Sequence, residues 1–281
     1  MLDRLFLRKK LEEFLLEDIG YRDLTTDSIT AHKPVQVEII AKEELIVAGV
    51  DFAIEVFKLL DSEAQFFYKV EDGTRLKFGD PILIFKAMSN AVLKGERTAL
   101  NILQRLSGIA TTTRKYVKQL EGTNTVLLDT RKTTPGFRAF EKYAVNVGGA
   151  KNHRFALYDM VMIKDNHIAL VGSIKEIVSQ IKKRVSPMVK IEIEVANLSQ
   201  LQEAIETDVD IIMLDNMSLD DIKKAVEINN GMKKLEVSGN ITIDNIRQVA
   251  ETGVDFISSG ALIHSSRWVD ISLRIKGEDP T

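Results

Sequence analysis

Apolar and polar positions divide the chain into two stretches with different rhythms. In the first hundred residues the rhythm is mixed. Leu5, Leu7, Leu11, Phe14, Leu15 and Ile19 recur at roughly helical spacing with charges between them. This predicts a surface helix over residues 4–18, ended by Gly20. The polar run Asp23-Leu-Thr-Thr26 reads as a loop whose side chains cap a following turn. Residues 35–48 alternate well enough for one or two strands, and 50–60 fit a helix. Residues 66–70 and 81–85 read as strands around turns at Asp72-Gly73 and Phe78-Gly79-Asp80. This is a mixed α+β domain with no chemistry that stands alone. A long helical stretch over 93–120, with a break expected near Ser107-Gly108, leads out of it.

After residue 126 the rhythm becomes regular. Strand-like apolar runs at 126–128, 160–163, 189–195, 211–214, 235–237 and 256–257 alternate with amphipathic stretches, the later helices fitting 199–206, 219–228 and 243–251. Strand–helix alternation implies a parallel sheet, and this many units favours a closed β/α barrel over an open sheet. No Gly-rich dinucleotide turn or P-loop supports the open alternative. The predicted class is therefore α/β: an N-terminal α+β domain over 1–110, then a barrel over 111–267, with 268–281 packing back on the first domain. The apolar runs end in Arg131, Lys164, Glu194, Asp215, Ser238-Gly239 and Ser259-Gly260. The last four ends are 21, 23 and 21 residues apart, so one βα unit returns each to the same rim. Barrel active sites lie at the carboxyl ends of the strands, which makes these residues candidates for one pocket.

Composition narrows the class. With 44% hydrophobic and 28% charged residues the chain is neither a disordered nor a membrane-embedded sequence. No apolar run is long enough to span a bilayer, and the first ten residues show no secretion signal. The absence of cysteine removes disulfides, thiolate metal sites and thiol nucleophiles, and is compatible with a cytoplasmic protein. A net charge of -3 without a basic, aromatic-studded face argues against nucleic acid as partner.

Charge then singles out one stretch. From Arg131 to Lys164 the chain carries Arg131, Lys132, Arg138, Lys142, Lys151, Arg154 and Lys164 against only Glu141 and Asp159, a local excess of +5 against the global sign. Such a concentration predicts an anion site. Its Gly and Pro residues mark irregular backbone, and Lys164 ends the buried-looking run Met160-Val-Met-Ile163. Arginine suits carboxylate or phosphate through its fork, and lysine acts as a point charge. The Ser-Gly ends at 238–239 and 259–260 suit a phosphate, because glycine admits close approach to backbone amides. Glu194 and Asp215 suit Mg²⁺ as oxygen ligands, or a cation developing on a sugar. Glu192, close to Glu194 on the same strand, is expected to face the other side of the sheet.

The motifs Glu96-Arg-Thr-Ala-Leu-Asn101, Arg105-Leu-Ser-Gly-Ile-Ala110, Asp129-Thr-Arg-Lys-Thr-Thr-Pro-Gly136, Asn152-His-Arg154 and Ile163-Lys-Asp-Asn-His167 occur in this order. With them the chain closely resembles the quinolinate phosphoribosyltransferases, type II phosphoribosyltransferases, over most of its length. The resemblance implies an N-terminal sandwich domain and an α/β barrel, and a homodimer with shared active sites that leaves room for a hexamer of dimers. It implies transfer of phosphoribosyl from phosphoribosyl pyrophosphate to quinolinate with Mg²⁺, releasing pyrophosphate and carbon dioxide and forming nicotinate mononucleotide for NAD biosynthesis. By it, Arg131, His153, Arg154 and Lys164 hold the quinolinate carboxylates, and Arg97 reaches them from the neighbouring subunit. Lys132 contacts the pyrophosphate side, and Glu194 and Asp215 the ribose and metal side. Ser238, Gly239, Ser259 and Gly260 seat the 5′-phosphate. Asn240 and Ala150 depart from the family, which usually has glycine at both places.

Plainer uses stand beside these. Arg105 reads as structural, His167 as a loop buttress, and His264 as either phosphate contact or packing. Phe residues and Trp268 read as core or interface. A His153–His167 metal pair lacks helical spacing and soft partners. Rival functions are a transferase for a monoacid such as nicotinate, a barrel lyase with Lys164 as Schiff-base nucleophile, a molybdenum-associated relative of the same fold, and a non-catalytic binding protein.

Overall fold

The computed structural model describes residues 3–276. Within them the chain forms two compact units, the first made of the chain up to Arg114 together with Ala139–Gly149 and the segment from Ser266, the second of Lys115–Arg138 and Ala150–Ser265. No helix among the described residues is long and apolar enough to cross a membrane.

In the first unit, α1 (Arg4–Ile19) begins where the Asp3 carboxylate accepts the amides of Leu5 and Phe6, and buries Leu11 and Leu15. Asp23 accepts the amides of Thr25 and Thr26 and caps a single 3₁₀ turn, Thr26–Ser28. An antiparallel sheet follows the order β12-β1-β5-β3, from β1 (Pro34–Ala41), β3 (Gln65–Lys69), β5 (Pro81–Met88) and β12 (Ile271–Lys276). A short pair, β2 (Leu45–Ile46) with β4 (Arg75–Leu76), lies apart from it. Of the C-terminal segment 268–281, β12 pairs with β1 (Val37 opposite Ile275), while 277–281 lie outside the described residues. Phe57 and Phe85 meet at 4.5 Å between α2 (Val50–Leu60) and the sheet, where alternate strand positions such as Val37, Ile39 and Leu83 are buried.

The long helix differs from the sequence expectation. α3 (Ser89–Gln119) is continuous through Ser107-Gly108. Glycine stands at 108 because a Cβ there would overlap the carbonyl of Arg267, and the neighbouring Ser107 hydroxyl accepts the amide of Ala48 at 3.0 Å. Close packing of a second backbone, not a helix break, accounts for the residue. A second helix, α4 (Arg138–Gly148), was masked by the basic residues and glycines around it. It carries the fully buried Glu141, which receives Arg105 at 2.7 Å; Arg105 also donates to the Ser266 carbonyl and hydroxyl. Arg105 is thus structural.

The second unit is a β/α barrel. β6 (Val126–Leu128), β7 (Val161–Ile163), β8 (Ile191–Val195), β9 (Ile211–Asp215), β10 (Lys234–Ser238) and β11 (Phe256–Ser258) are all parallel, in the order β6-β11-β10-β9-β8-β7. Beside β6, where the regular ladder stops, Leu128 makes a single bridge to Lys151. The outer helices are α5 (Asp165–Val171), α6 (Ile174–Lys182), α7 (Leu198–Ile205), α8 (Leu219–Asn229), α9 (Ile246–Ala250) and the four-residue α10 (Ala261–His264). Ser173, Asn197 and Ser218 cap α6, α7 and α8 through their side chains, and the last two fix where the loops after β8 and β9 end. The register sets Asp215 beside Ser238, so the ends of β9 and β10 stand at one height.

Candidate active site

A cavity of about 570 Å³ opens at the carboxyl ends of the six strands. Arg131, Lys132, His153, Arg154, Lys164, Glu194, Asp215, Ser238, Gly239, Ser259 and Gly260 all line it, and all belong to the second unit. Arg97 belongs to the first unit, exposed on α3. Of the seven basic residues that marked the stretch, four line the cavity. Arg138 instead donates to Thr133 (2.9 Å) and to the Phe155 carbonyl (3.1 Å), and Lys142 is buried in α4.

The cationic wall is built on Asp129. This carboxylate is fully buried after β6 and accepts Asn152 Nδ2 at 2.7 Å and the His153 amide at 2.8 Å, fixing the irregular segment before Arg154. Arg154 is buried, with Nη1 on the Met160 carbonyl at 3.1 Å. Burial, and then the charge of Arg131, hold its guanidinium below the usual arginine range. Arg131 Nε is buried without a hydrogen-bond partner among the described residues. Two arginines that repel, one with an unmatched buried donor, lower their free energy when an anion joins them. Lys164, at the start of α5, forms an ion pair with Glu194. Its amide donates to His167 Nδ1 at 2.9 Å, and the His167 amide returns a bond to the Lys164 carbonyl at 2.9 Å, so His167 buttresses this loop.

Below the wall lies a layer that the sequence reading placed wrongly. Residues two apart on a strand share a face, so Glu192 points inward like Glu194, one layer deeper. It is fully buried, as is Glu236 on β10, and His153 Nε2 lies 3.0 Å from Glu192 and 3.5 Å from Glu236. Burial by itself lowers the His153 pKa, but the two carboxylates outweigh it and push it up to about 10. Burial likewise raises Glu192, with His153 opposing. Nδ1 lies 2.7 Å from the Arg154 amide, a contact that opens when the ring takes the second proton the two carboxylates favour. His153 offers the cavity a ring face and its charge.

The opposite wall is backbone. Gly239 has φ 91°, and Gly260 sits where a Cβ would come within 2.8 Å of Lys132 Cδ and 2.9 Å of His264 Cδ2. Ser259 bonds the Ile241 carbonyl (3.3 Å) and accepts the Ala261 amide (3.3 Å), shaping the turn rather than facing the cavity with a free hydroxyl. Ser258, which sequence reasoning missed, also lines the cavity, and its buried hydroxyl has no hydrogen-bond partner among the described residues. Ser258 closes an apolar strand one position before the Ser-Gly pair, and the sequence holds no signal to choose between two adjacent serines. His264 lines the same end and bonds Ser265 at 2.8 Å.

Mg²⁺ takes hard oxygen ligands. Glu194 and Asp215 border the cavity with hard oxygen donors. Among the described residues, the group whose donor atoms converge like metal ligands is His153, Glu192 and Glu236, which includes neither. Glu194 and Asp215 therefore suit an ion that brings most of its oxygens with it, the usual habit of Mg²⁺ on phosphates.

Comparison with known proteins adds to this geometry. The family models described as the N-terminal and C-terminal domains of quinolinate phosphoribosyl transferase match residues 23–107 and 109–274. The chain is similar to a probable nicotinate-nucleotide pyrophosphorylase (carboxylating) of Bacillus subtilis, 44% identical, with 98% of this chain and 95% of that protein covered. It is also similar to a quinolinate phosphoribosyltransferase (decarboxylating) of Nicotiana tabacum, 34% identical, covering 97% and 83%. Among solved structures, NadC from Streptococcus pyogenes aligns with a TM-score of 0.94 at 41% identity, covering 99% of both chains. The nicotinate-nucleotide pyrophosphorylase from Francisella tularensis aligns at 0.93 with 41% identity and 98% coverage of both.

Proposed function

Because this chain belongs to the quinolinate phosphoribosyltransferase family, we propose that the cavity of its second unit is where phosphoribosyl passes to quinolinate. The activity is that of a carboxylating nicotinate-nucleotide pyrophosphorylase, a pentosyltransferase. Phosphoribosyl pyrophosphate and quinolinate give nicotinate mononucleotide, pyrophosphate and carbon dioxide, a step of de novo NAD biosynthesis. The observation that carries the site is the pairing, in one cavity, of a buried arginine wall with a glycine-lined backbone seat.

Arg131, Arg154 and Lys164 hold the two carboxylates of quinolinate, with His153 adding charge from the layer below. Arg97 completes the wall from a partner subunit in a homodimer. Ser238, Gly239, Ser258 and Gly260 seat the 5′-phosphate by hydroxyls and backbone amides, on a turn that Ser259 shapes through its bonds to Ile241 and Ala261. α10 is too short to add a sizeable dipole. Lys132, whose stem runs past Gly260, reaches the pyrophosphate. Glu194 and Asp215 would hold Mg²⁺ on the pyrophosphate side, where the ion would supply charge neutralisation of the leaving group. Lys132 draws the same charge away, while Glu194 and Asp215 stabilise the positive charge that develops on the ribose. The arginines fix the ring nitrogen toward C1 of the ribose, a matter of orientation more than of proton transfer. Once the nitrogen is alkylated, the adjacent carboxylate leaves as carbon dioxide, its bonding pair stays on the ring carbon beside the cationic nitrogen, and a proton from water takes its place.

The Lys164–Glu194 pair suits a charge contact better than the nucleophile of a lyase. The working location is the cytoplasm. The test is to incubate the purified protein with quinolinate, phosphoribosyl pyrophosphate and Mg²⁺ and follow nucleotide and carbon dioxide together. Equal appearance of both is expected. Nucleotide from nicotinate without carbon dioxide, or no product at all, overturns the reading.

A further inference from the structure

Beside the phosphate seat, three asparagines form a chain of hydrogen bonds that no catalytic role explains. Asn216 follows Asp215 at the end of β9. Its amide donates to the Ser238 carbonyl at 3.0 Å, so its backbone is still tied to β10. Its φ is 54°, and Asn240 has φ 53°. Non-glycine residues rarely adopt this conformation, and those that do gather at functional sites. In both, the turn directs the carboxamide back across the loop. Asn216 Nδ2 donates to Asp215 Oδ2 at 2.9 Å, and Asn216 Oδ1 accepts Asn240 Nδ2 at 3.0 Å. The carboxylate only accepts, so the amide can face this way alone. Asn245 then donates to the Asn240 carbonyl at 2.9 Å and accepts the Thr242 amide at 2.9 Å, anchoring the loop ahead of α9. Gly239 is part of the same lock, because a Cβ there would overlap the Asn216 carboxamide.

We propose that Asn216 is a positioning residue that couples Asp215, on the ribose side, to the 5′-phosphate loop at 238–240 through its contact with Asn240. The inference rests on the transfer reaction proposed above and deepens it for one substrate. Asn216 touches the carboxylate with one end of its amide and the loop with the other, so the spacing between the ribose and phosphate contacts is set by one rigid plane. Asn240 provides the partner on the loop side. Asn216 therefore governs the phosphoribosyl donor and leaves the diacid wall alone.

The clean variant is Asn216→Gly, which keeps the left-handed backbone and removes only the carboxamide. It is expected to raise the KM for phosphoribosyl pyrophosphate on the order of tenfold, as loss of a hydrogen bond to a charged group does, with the KM for quinolinate within about twofold. Asn216→Asp, which fills the same space and sets a second carboxylate against Asp215, is expected to raise it further. Asn240→Gly moves the same constant less, and the double variant Asn216→Gly/Asn240→Gly is no worse than Asn216→Gly. Calorimetric titration with ribose 5-phosphate, which needs neither metal nor turnover, is expected to weaken in parallel. An unchanged donor KM in Asn216→Gly, an equal rise in both KM values, or additive effects in the double variant overturns the proposal. If wild type makes no nucleotide yet ribose 5-phosphate binding falls in Asn216→Gly, the reaction is wrong and the coupling stands. If wild type turns over and neither readout moves, the coupling alone is wrong.

Discussion

The same barrel strands carry charge at two heights, and the two layers behave in opposite ways. At the rim, cations outnumber acids: Arg131, Lys132, Arg154 and Lys164 face Glu194 and Asp215 around an open cavity. One layer down, acids outnumber cations: Glu192 and Glu236 enclose His153, and both carboxylates are fully buried. Glu192 and Glu194 are two residues apart on β8, yet Glu194 keeps 15% of its side chain exposed beside Lys164 while Glu192 keeps none. Height along the strand, not residue type, decides whether a carboxylate meets substrate or holds the protein together. The rim is left unbalanced for a ligand to balance. The interior closes around His153, the cation its two buried carboxylates share, and removing it carries a large cost.

That difference should appear first in activity. Arg154→Ala is expected to lower kcat/KM for quinolinate by about 100- to 1000-fold, as removal of one partner of a desolvated charge pair does, while the melting temperature holds or rises because Arg131 loses a repelling neighbour. Steady-state kinetics beside a thermal melt checks both. A variant with unchanged kinetics removes Arg154 from the wall.

Next comes stability of the inner layer. His153→Gln leaves two buried carboxylates without their cation and should cost about 3–5 kcal/mol. The sign with pH is fixed. Despite burial, Glu192 and Glu236 raise His153 from its ordinary 6.5 to about 10. Its ion pair therefore contributes stability that is complete below about pH 6.5 and is lost as pH rises through about 10. Urea unfolding from pH 6 to pH 10 should show the gap between wild type and His153→Gln closing toward the alkaline end. A gap that widens there reverses the assignment.

Glu194→Gln separates the layers more finely. Its partner Lys164 is 40% exposed, so the ion pair adds less than about 1 kcal/mol to folding. Turnover should nonetheless fall about tenfold, because the developing charge on the ribose loses a carboxylate. Comparable losses in stability and turnover would make Glu194 another interior acid. The smallest effect is that of salt. Raising ionic strength from 0.05 to 0.3 M should raise the KM for quinolinate by about twofold and leave the His153→Gln stability gap unmoved, since solvated charges are screened and buried ones are not.

The barrel was legible because each βα unit repeats one pattern, and the rim because a polar residue closing an apolar strand stands out against it. The inner layer was not, although parity alone places Glu192 on the face of Glu194: two glutamates in Ile191-Glu-Ile-Glu-Val195 look like alternation with the wrong sense. Glu236 lies inside the run that closes at Ser238, and only a partner three strands of sequence away, His153, gives it a meaning. α4 was hidden because its charges, Glu141 and Lys142, are buried against the usual rule for a surface helix. Gly108 read as a break because a sequence does not show the backbone of Arg267 lying against it. Asn216 gave no signal at all, since its role depends on a left-handed backbone and on Asn240, which lies 24 positions later.

The cation wall is most directly tested by calorimetric titration of the wild-type protein with quinolinate and, in parallel, nicotinate. A wall of two arginines and a lysine requires one quinolinate per chain, with nicotinate weaker by about 30-fold for the missing charge-assisted contact. Equal affinity for the two acids, or no binding of either, contradicts it.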